Sequence, residues 1–160
     1  MRGRRVRVFL DTSALFSAIW SERGGGRQIL RLGEAGAVQL VVSRRVLQEL
    51  EGAFRRKAPD LLGLLAHLLD QAGVEVVGDP PEEEVEKFER ITGHRGDAVI
   101  LGGALRGEVD YFVTLDREHF LDNPAVSEAI PFPMGTPGDF LEWMRGVLLR
   151  MQTVQEVDNL

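Results

Sequence analysis

The chain has 160 residues, 44% hydrophobic and 28% charged, so it is long enough for one folded domain and is not a disordered polypeptide. It contains no cysteine, which excludes disulfides and thiolate metal ligands and predicts a cytoplasmic protein. Its net charge of −6 excludes a surface that is basic throughout, and no apolar run approaches the roughly 20 residues that span a membrane.

Apolar strands alternate with helices in the first half of the chain. The predicted elements are, in order, the strand VRVFL (6–10), a helix from Ser13 to Ser21, a break at glycines 24–26, the helix RQILRLGEAG closed by Gly36, the strand VQLVV (38–42) and a helix capped by Ser43.

The second half continues the alternation. Its predicted elements are the helix LLGLLAHLLDQAG ending at Gly73, the strand VEVV, the surface helix EEEVEKFERITG after Pro80 and Pro81, a helix opened by Asp97, the strand YFVTL, a short fifth strand AIPF and, after Pro137, the helix GDFLEWMRGVLLR. This order predicts right-handed βαβ units. The fold class is therefore α/β, a single three-layer domain over residues 1–150 with a parallel sheet of four to five strands flanked by helices. Residues 151–160 are predicted to form a weakly patterned C-terminal tail.

Four acidic residues stand where apolar strands end or helices begin. Asp11 and Asp116 each follow a strand, Asp97 opens a helix, and Glu49 lies one to two turns into the helix after the second strand. Because the carboxyl ends of parallel strands share one edge of a sheet, we expect these carboxylates to converge there. Buried carboxylates repel one another unless a cation neutralises them, and oxygen ligands without cysteine favour Mg²⁺ or Mn²⁺. The pattern favours a metal pocket for phosphodiester hydrolysis.

Each acid alone also has an ordinary structural explanation. Asp11 and Asp97 are in positions that favour helix capping, Glu49 fits a solvated helix face, and Asp116 fits a turn. The shared site is favoured because all four explanations would otherwise have to hold together.

Four segments carry a family resemblance: LDTSAL, the acid of VLQELEG, DAVILGGAL and DYFVTLDREHF. In this order they resemble the PIN-domain ribonucleases, and among them the VapC-like toxins of bacterial and archaeal toxin–antitoxin pairs, from about Val6 to Leu141. The resemblance implies a PIN-like nuclease fold and a Mg²⁺- or Mn²⁺-dependent endoribonuclease that hydrolyses RNA. It implies that Asp11, Glu49, Asp97 and Asp116 are the catalytic, metal-binding acids. It further implies a homodimer and an antitoxin partner.

The resemblance also implies supporting residues. Ser13 takes the small polar position that is Asn in many members, and the hydroxyls of Thr12 and Thr114 support the pocket. Asp110 is a fifth acid, expected to be structural rather than metal-bound.

Basic residues are expected to contact RNA phosphates. All but two of the 19 basic residues are arginines, although a GC-rich or heat-adapted genome gives the same bias. The predicted RNA-binding residues are Arg44 and Arg45 beside the Glu49 helix, and an N-terminal arm of Arg2, Arg4, Arg5 and Arg7. His94 and His119 lie close in sequence to Asp97 and Asp116, so either could touch the substrate. Surface placement is favoured, because nothing pairs them as a base–nucleophile unit.

Three other functions are weighed against the nuclease. A phosphoryl-accepting receiver or a haloacid-dehalogenase-like phosphatase is disfavoured, because Ser13 stands where the phosphatase needs an Asp and both lysines (Lys57 and Lys87) are misplaced for a receiver. A structure-specific DNA nuclease needs DNA-gripping insertions that 160 residues hardly accommodate. A catalytically idle PIN-like module that binds RNA or protein stays open as the alternative.

Overall fold

The computed structural model describes residues 4–160, which form five strands and eight helices. The strands are β1 (Val6–Leu10), β2 (Val38–Ser43), β3 (Glu75–Val77), β4 (Tyr111–Val113) and β5 (Met134–Gly135). The helices are α1 (Thr12–Trp20), α2 (Gly25–Glu34), α3 (Arg44–Lys57), α4 (Leu62–Gln71), α5 (Glu82–Thr92), α6 (Arg95–Arg106), α7 (Pro124–Ala129) and α8 (Pro137–Asp158). A 3₁₀ turn (Pro59–Leu61) and a π-helical turn (Arg117–Leu121) lie between them.

The strands form one parallel sheet in the order β3-β2-β1-β4-β5, with β1 at its centre. From β1 the chain first builds outward through β2 and β3, and later returns to the other side with β4 and β5. The strand order therefore reverses between β1 and β4, which is where α/β sheets form a ligand crevice at their carboxyl edge. The predicted fold class, a single α/β domain with a parallel sheet flanked by helices, is confirmed.

The centre of the sheet is held by apolar side chains of β1 and β4. Phe9 and Phe112 are fully buried and stack with ring centroids 5.2 Å apart. Burying a side chain of this size stabilises the fold by roughly 1.5–3 kcal/mol. At the end of β1 the backbone N–H of Asp11 donates to the carbonyl of Val113 at 3.1 Å, so the apolar ladder holds an acid at its carboxyl end.

The predicted fifth strand AIPF is wrong. Helix α7 runs to Ala129, and β5 forms two residues beyond AIPF, at Met134–Gly135. Pro131 and Pro133 have no N–H to donate to a strand ladder, so pairing begins only where the prolines end. The carbonyl of Pro133 still accepts from the N–H of Phe112 at 3.0 Å, which starts the β4–β5 pairing.

The glycine run does not simply separate two helices, because α2 already begins at Gly25. A Cβ at Gly26 would lie 2.9 Å from the Cβ of Ala18, closer than real Cβ atoms approach. The run therefore permits α1 and α2 to pack backbone against backbone.

The last helix, α8, is longer than predicted and continues past Arg150 to Asp158. Thr136 caps its start, and the Asp139 carboxylate accepts from the Thr136 N–H in return, a capping box. Within residues 4–160, no helix combines the length and the apolar character that a membrane span requires.

Candidate active site

The four predicted acids lie at the carboxyl edge of the sheet, around the point where the strand order reverses. Asp11 is the N-cap of α1, Asp116 caps the π-helical turn after β4, Asp97 lies in the first turn of α6, and Glu49 lies in the second turn of α3. The charge of Asp116 raises the pKa of Asp11, and the charges of Asp116 and Glu49 both raise that of Asp97. Asp11 and Asp116 therefore cap helical turns and also interact electrostatically with each other.

Asp11 is the most buried acid, with 3% of its surface exposed. Its Oδ1 accepts from the Ser13 hydroxyl at 2.7 Å and from the N–H of Ala14 at 2.9 Å, and its Oδ2 accepts from the Thr114 hydroxyl. Burial raises its pKa to about 6, against the lowering effect of these three hydrogen bonds, and repulsion by Asp116 adds to the rise. Asp11 is an incompletely compensated negative charge at the carboxyl edge of the sheet; this part of the edge, with Asp11, Glu49, Asp97 and Asp116, is called the crevice.

The supporting hydroxyls tie Asp11 to the end of β4. The Ser13 hydroxyl accepts from the N–H of Leu115 at 3.0 Å, and the Thr114 hydroxyl accepts from the N–H of Asp116 at 3.0 Å. Thr114 is fully buried, so this bridge fixes Asp11 relative to Asp116 in a region closed to water. The predicted supporting positions Ser13 and Thr114 thus both contact an acid.

Glu49 is held by two neighbours on different helices. Its Oε2 accepts from the Thr12 hydroxyl at 2.7 Å, and its Oε1 accepts from Nε of Arg45 at 3.1 Å. The Arg45 guanidinium reaches the start of α6, where a Cβ at Gly96 would lie 3.2 Å from its Nη2. Arg45 therefore lies at the rim of the crevice, whereas Arg44 is exposed beside it.

Two histidines contact the acids from the surface of the protein, where the sequence places them: His94 is exposed and His119 is half-buried. Both carboxylate oxygens of Asp116 contact His119. Oδ1 accepts from the His119 backbone N–H at 2.9 Å, and Oδ2 lies 2.8 Å from the ring Nδ1. The His94 ring caps α6 by accepting from the N–H of Asp97 at 3.2 Å, and its centroid is 6.4 Å from that of His119. The hydrogen bond to Asp116 raises the pKa of His119.

The sequence spacing within the two His–Asp pairs indicates these contacts. Both His94–Asp97 and Asp116–His119 are three residues apart at the start of a helical turn, where the first side chain reaches the N–H of the fourth residue. The pKa of Asp97 is raised by burial, against the lowering effect of both histidines.

Asp110 lies at the opposite, amino edge of the sheet. Its carboxylate accepts from the Arg7 N–H at 2.8 Å and from Arg4 at 3.0 Å. Arg7 also pairs with Glu75, and Arg5 donates to a side chain of β2. The described part of the basic arm is therefore remote from the four acids, and Asp110 contacts this arm rather than those acids. Arg2 of the predicted arm lies outside the described residues.

The oxygen atoms that line the crevice are of the kind that a hard divalent cation binds. It consists of carboxylate oxygens flanked by hydroxyls, and burial leaves Asp11 and Asp97 with raised pKa values that a nearby cation would lower. In residues 4–160, however, no three His, Asp or Glu side chains already surround a common point. The side chains are instead turned to protein partners, Arg45 on Glu49 and His119 on Asp116.

Comparison with known proteins bears on the fold and on the position of these acids. A family model described as "PIN domain" matches residues 7–118, which include all four acids and exclude α8. The solved structure of PAE2754 from Pyrobaculum aerophilum is 21% identical, with a TM-score of 0.55, over 78% of this chain and 92% of that chain. That of VapBC2 from Rickettsia felis, bound to a DNA fragment from their promoter, is 17% identical, with a TM-score of 0.60, over 82% of this chain and 98% of that chain. No curated protein matches the sequence significantly.

Proposed function

Because the chain belongs to the PIN-domain family, we propose that it is a Mg²⁺- or Mn²⁺-dependent endoribonuclease and the toxin of a toxin–antitoxin pair. The observation that carries this proposal is Asp11, a buried carboxylate with a raised pKa at the sheet's reversal point, electrostatically coupled to Asp116. Burying an unpaired charge of this kind lowers the stability of the fold, and carboxyl groups with raised pKa values occur preferentially at functional sites. We assign Asp11, Glu49, Asp97 and Asp116 as the catalytic and metal-binding acids.

The hydroxyl side chains of the crevice would orient the carboxylates that hold a divalent ion during hydrolysis. A bound divalent ion supplies water activation and neutralises charge on the phosphate. Ser13 and Thr114 hold the Asp11 carboxylate in one orientation, and Thr12 does the same for Glu49. Water adds to phosphorus in line with the departing oxygen, which takes the proton, so that cleavage leaves a 5′-phosphate and a 3′-hydroxyl.

The RNA substrate would approach from the rim of the crevice. Arg45 is half-buried there beside the start of α6, and Arg44 is exposed next to it on α3. A guanidinium matches the geometry of a phosphate with its planar fork, so both arginines are proposed phosphate ligands. The arm residues at the amino edge are not part of this proposal.

A protein antitoxin is the proposed partner, and a homodimer is the proposed assembly. The VapBC2 structure, a fold relative, is bound to a DNA fragment from a promoter. By similarity, we expect an antitoxin that binds both this chain and DNA.

The direct test is cleavage of structured and unstructured RNA by the purified chain. We expect cleavage with Mg²⁺ or Mn²⁺, none with excess chelator, and none from Asp11→Asn even with metal. Asp79→Asn is the matched control, because Asp79 is an exposed acid that is not among the four assigned to the site, and it should cleave like the parent chain.

The result that contradicts the assignment is equal cleavage by Asp11→Asn and the parent chain. Metal-independent cleavage would remove the cation from the proposal. Binding of RNA without cleavage under any metal would support the idle-module alternative instead.

A further inference from the structure

Three aromatic rings form an open stack between α1 and α3. The centroids of Phe54 and Phe16 lie 4.7 Å apart with an interplanar angle of 17°, and those of Phe16 and Trp20 lie 5.7 Å apart with an angle of 14°. Phe54 is fully buried and Phe16 is half-buried, whereas Trp20 is 57% exposed. The stack therefore starts in the core and ends at the surface with an indole ring on which another flat ring can stack.

The backbone that carries Trp20 is fixed in place. The Arg27 guanidinium donates to the carbonyl of Ala18 at 2.8 Å and to the carbonyl of Ile19 at 2.9 Å, so it satisfies two groups at the C-terminal end of α1. The Trp20 side chain has only two χ angles and already rests on Phe16, so ordering it against a ligand costs little conformational entropy. Trp20 is therefore a preorganised binding surface.

The face of α1 that carries the stack begins at the crevice. Thr12, whose hydroxyl donates to Glu49, is followed at four-residue intervals by Phe16 and Trp20, so all three lie on one face of the helix. Eight residues at about 1.5 Å each place Trp20 about 12 Å along α1 from Thr12. Single-strand binding sites of other proteins extend over roughly 4–16 nucleotides, so one strand that occupies the crevice can also reach Trp20.

Basic side chains of α3 flank the stack. The Lys57 ammonium lies 5.4 Å from the centroid of the Phe16 ring. Nη1 of Arg56 lies beside Gly52, where a Cβ would be 3.3 Å from it, and Gly52 is three residues beyond Glu49 on the same face of the helix. In the described chain neither Lys57 nor Arg56 forms an ion pair with a carboxylate. Both cations are therefore available to an anionic ligand that runs from the crevice to the stack.

The charge around the stack is opposite in sign to that of the whole chain. The segments that carry the stack, residues 20–27 and 51–60, hold five basic and three acidic side chains, a net charge of +2 in a chain whose total is −6. RNA offers both flat bases for the indole ring and phosphates for the cations. An apolar protein segment would cover the ring but leave the charges of Arg56 and Lys57 without partners, so the surface favours RNA over such a segment.

We propose that Trp20 stacks on an unpaired base of the RNA substrate, while Arg56 and Lys57 bind neighbouring phosphates of the same strand. The inference rests on the proposed ribonuclease function and narrows its substrate to single strands and loops, because the bases of an A-form duplex are stacked on one another. Every base has a flat face, so this contact adds affinity without selecting a sequence.

The first experiment is binding of a single-stranded RNA of about 12 nucleotides, followed by fluorescence anisotropy in excess chelator so that no metal-dependent cleavage occurs. One stacked base contributes about fivefold or more to the affinity, so Trp20→Ala and Trp20→Leu should each bind at least about fivefold more weakly than the parent chain. Trp20→Phe keeps a ring and should bind within about twofold of the parent chain. Val157→Ala, at an apolar side chain of α8 with 62% exposure, is the matched control and should bind like the parent chain.

Unchanged binding by Trp20→Ala would overturn the proposal. Unchanged binding by Trp20→Leu would do the same, because the ring would then act only as apolar surface. A parent chain that binds no RNA would also overturn it, and would leave a protein as the ligand of this surface. Cleavage tests the nuclease separately. If the parent chain cleaves the RNA with Mn²⁺ but Trp20→Ala binds it normally, only the stacking proposal fails. If the parent chain binds RNA through Trp20 but never cleaves it, only the ribonuclease function fails.

The second experiment tests the form of the strand and the phosphate contacts. A duplex of the same sequence should bind Trp20→Ala and the parent chain equally, because its bases stay stacked within the helix. For the single strand, Arg56→Ala combined with Lys57→Ala should lower the salt slope of the affinity by about 1.4, since each phosphate contact contributes about 0.7. The matched control combines Arg5→Ala with Arg106→Ala, two exposed arginines that are not among the proposed contacts, and should keep the parent slope. An equal loss of duplex affinity in Trp20→Ala, or an unchanged slope in the α3 variant, would overturn the proposal.

Discussion

Replacing Asp11 by Asn is expected to stabilise the protein at alkaline pH, in the absence of metal, while abolishing activity. Asp11 is almost completely buried, and burial is the largest cause of its raised pKa. Asn keeps an oxygen that accepts from Ser13 and from the N–H of Ala14, and its amide can donate to the Thr114 hydroxyl. The substitution therefore removes the desolvated charge while keeping the helix cap and a hydrogen bond between residue 11 and Thr114.

The magnitude follows from the two pKa values. The carboxyl titrates near 3.8 when unfolded and at about 6 in the folded protein, and at about 1.36 kcal/mol per pH unit the difference corresponds to about 3 kcal/mol. Between these values the folded state binds more protons than the unfolded state, so stability falls as pH rises from about 4 to about 6. Above pH 6 the ionised Asp11 lowers the free energy of unfolding by the full amount. The Asn variant has no charge at this position and does not lose this stability.

The assay is urea denaturation in chelator at pH 8 and again near pH 4. At pH 8 the free energy of unfolding of Asp11→Asn should exceed that of the parent chain by up to about 3 kcal/mol, and near pH 4 the two should agree. The exposed control Asp79→Asn should show no gain at either pH. A variant that is equal to or weaker than the parent chain at pH 8 would refute the reasoning, because the Asp11 charge would then be fully compensated within the protein.

Two further substitutions test the rim and the packing. Arg45→Ala should weaken RNA binding and lower the salt slope of the affinity by about 0.7, measured by fluorescence titration in a salt series, whereas Arg5→Ala at the amino edge should leave both unchanged. Gly26→Ala should destabilise by about 1–3 kcal/mol in urea denaturation, because its Cβ would overlap Ala18. Gly63→Ala, on a helix with open space around it, should instead gain up to about 1 kcal/mol, and equal effects at the two glycines would contradict the close packing of α1 on α2.

The sheet and the placement of the acids were predictable because both follow from local patterns. VRVFL and YFVTL are apolar runs that end at Asp11 and Asp116, and parallel strands bring their carboxyl ends to one edge. The chain order of strands and helices then fixes which edge the helix acids face. The assignment of these acids as metal ligands stays a prediction.

Other features depended on contacts that local patterns do not encode. The pairing of His119 with Asp116 rests on a π-helical turn, a form with no clear sequence period. β5 is only two residues long, and its position depends on where the prolines end. The arginines of the arm were expected to bind phosphate because composition does not reveal that Arg4 and Arg7 pair with acids of their own chain.

The two edges of the sheet restrict how copies of this chain can join. β3 has three residues and β5 has two, and Pro133 immediately precedes β5. Such short borders offer few free N–H and C=O groups as a template, so intermolecular strand addition and fibril growth are both discouraged. Contacts between copies are left to the helical layers, where side chains rather than backbone groups decide which surfaces fit.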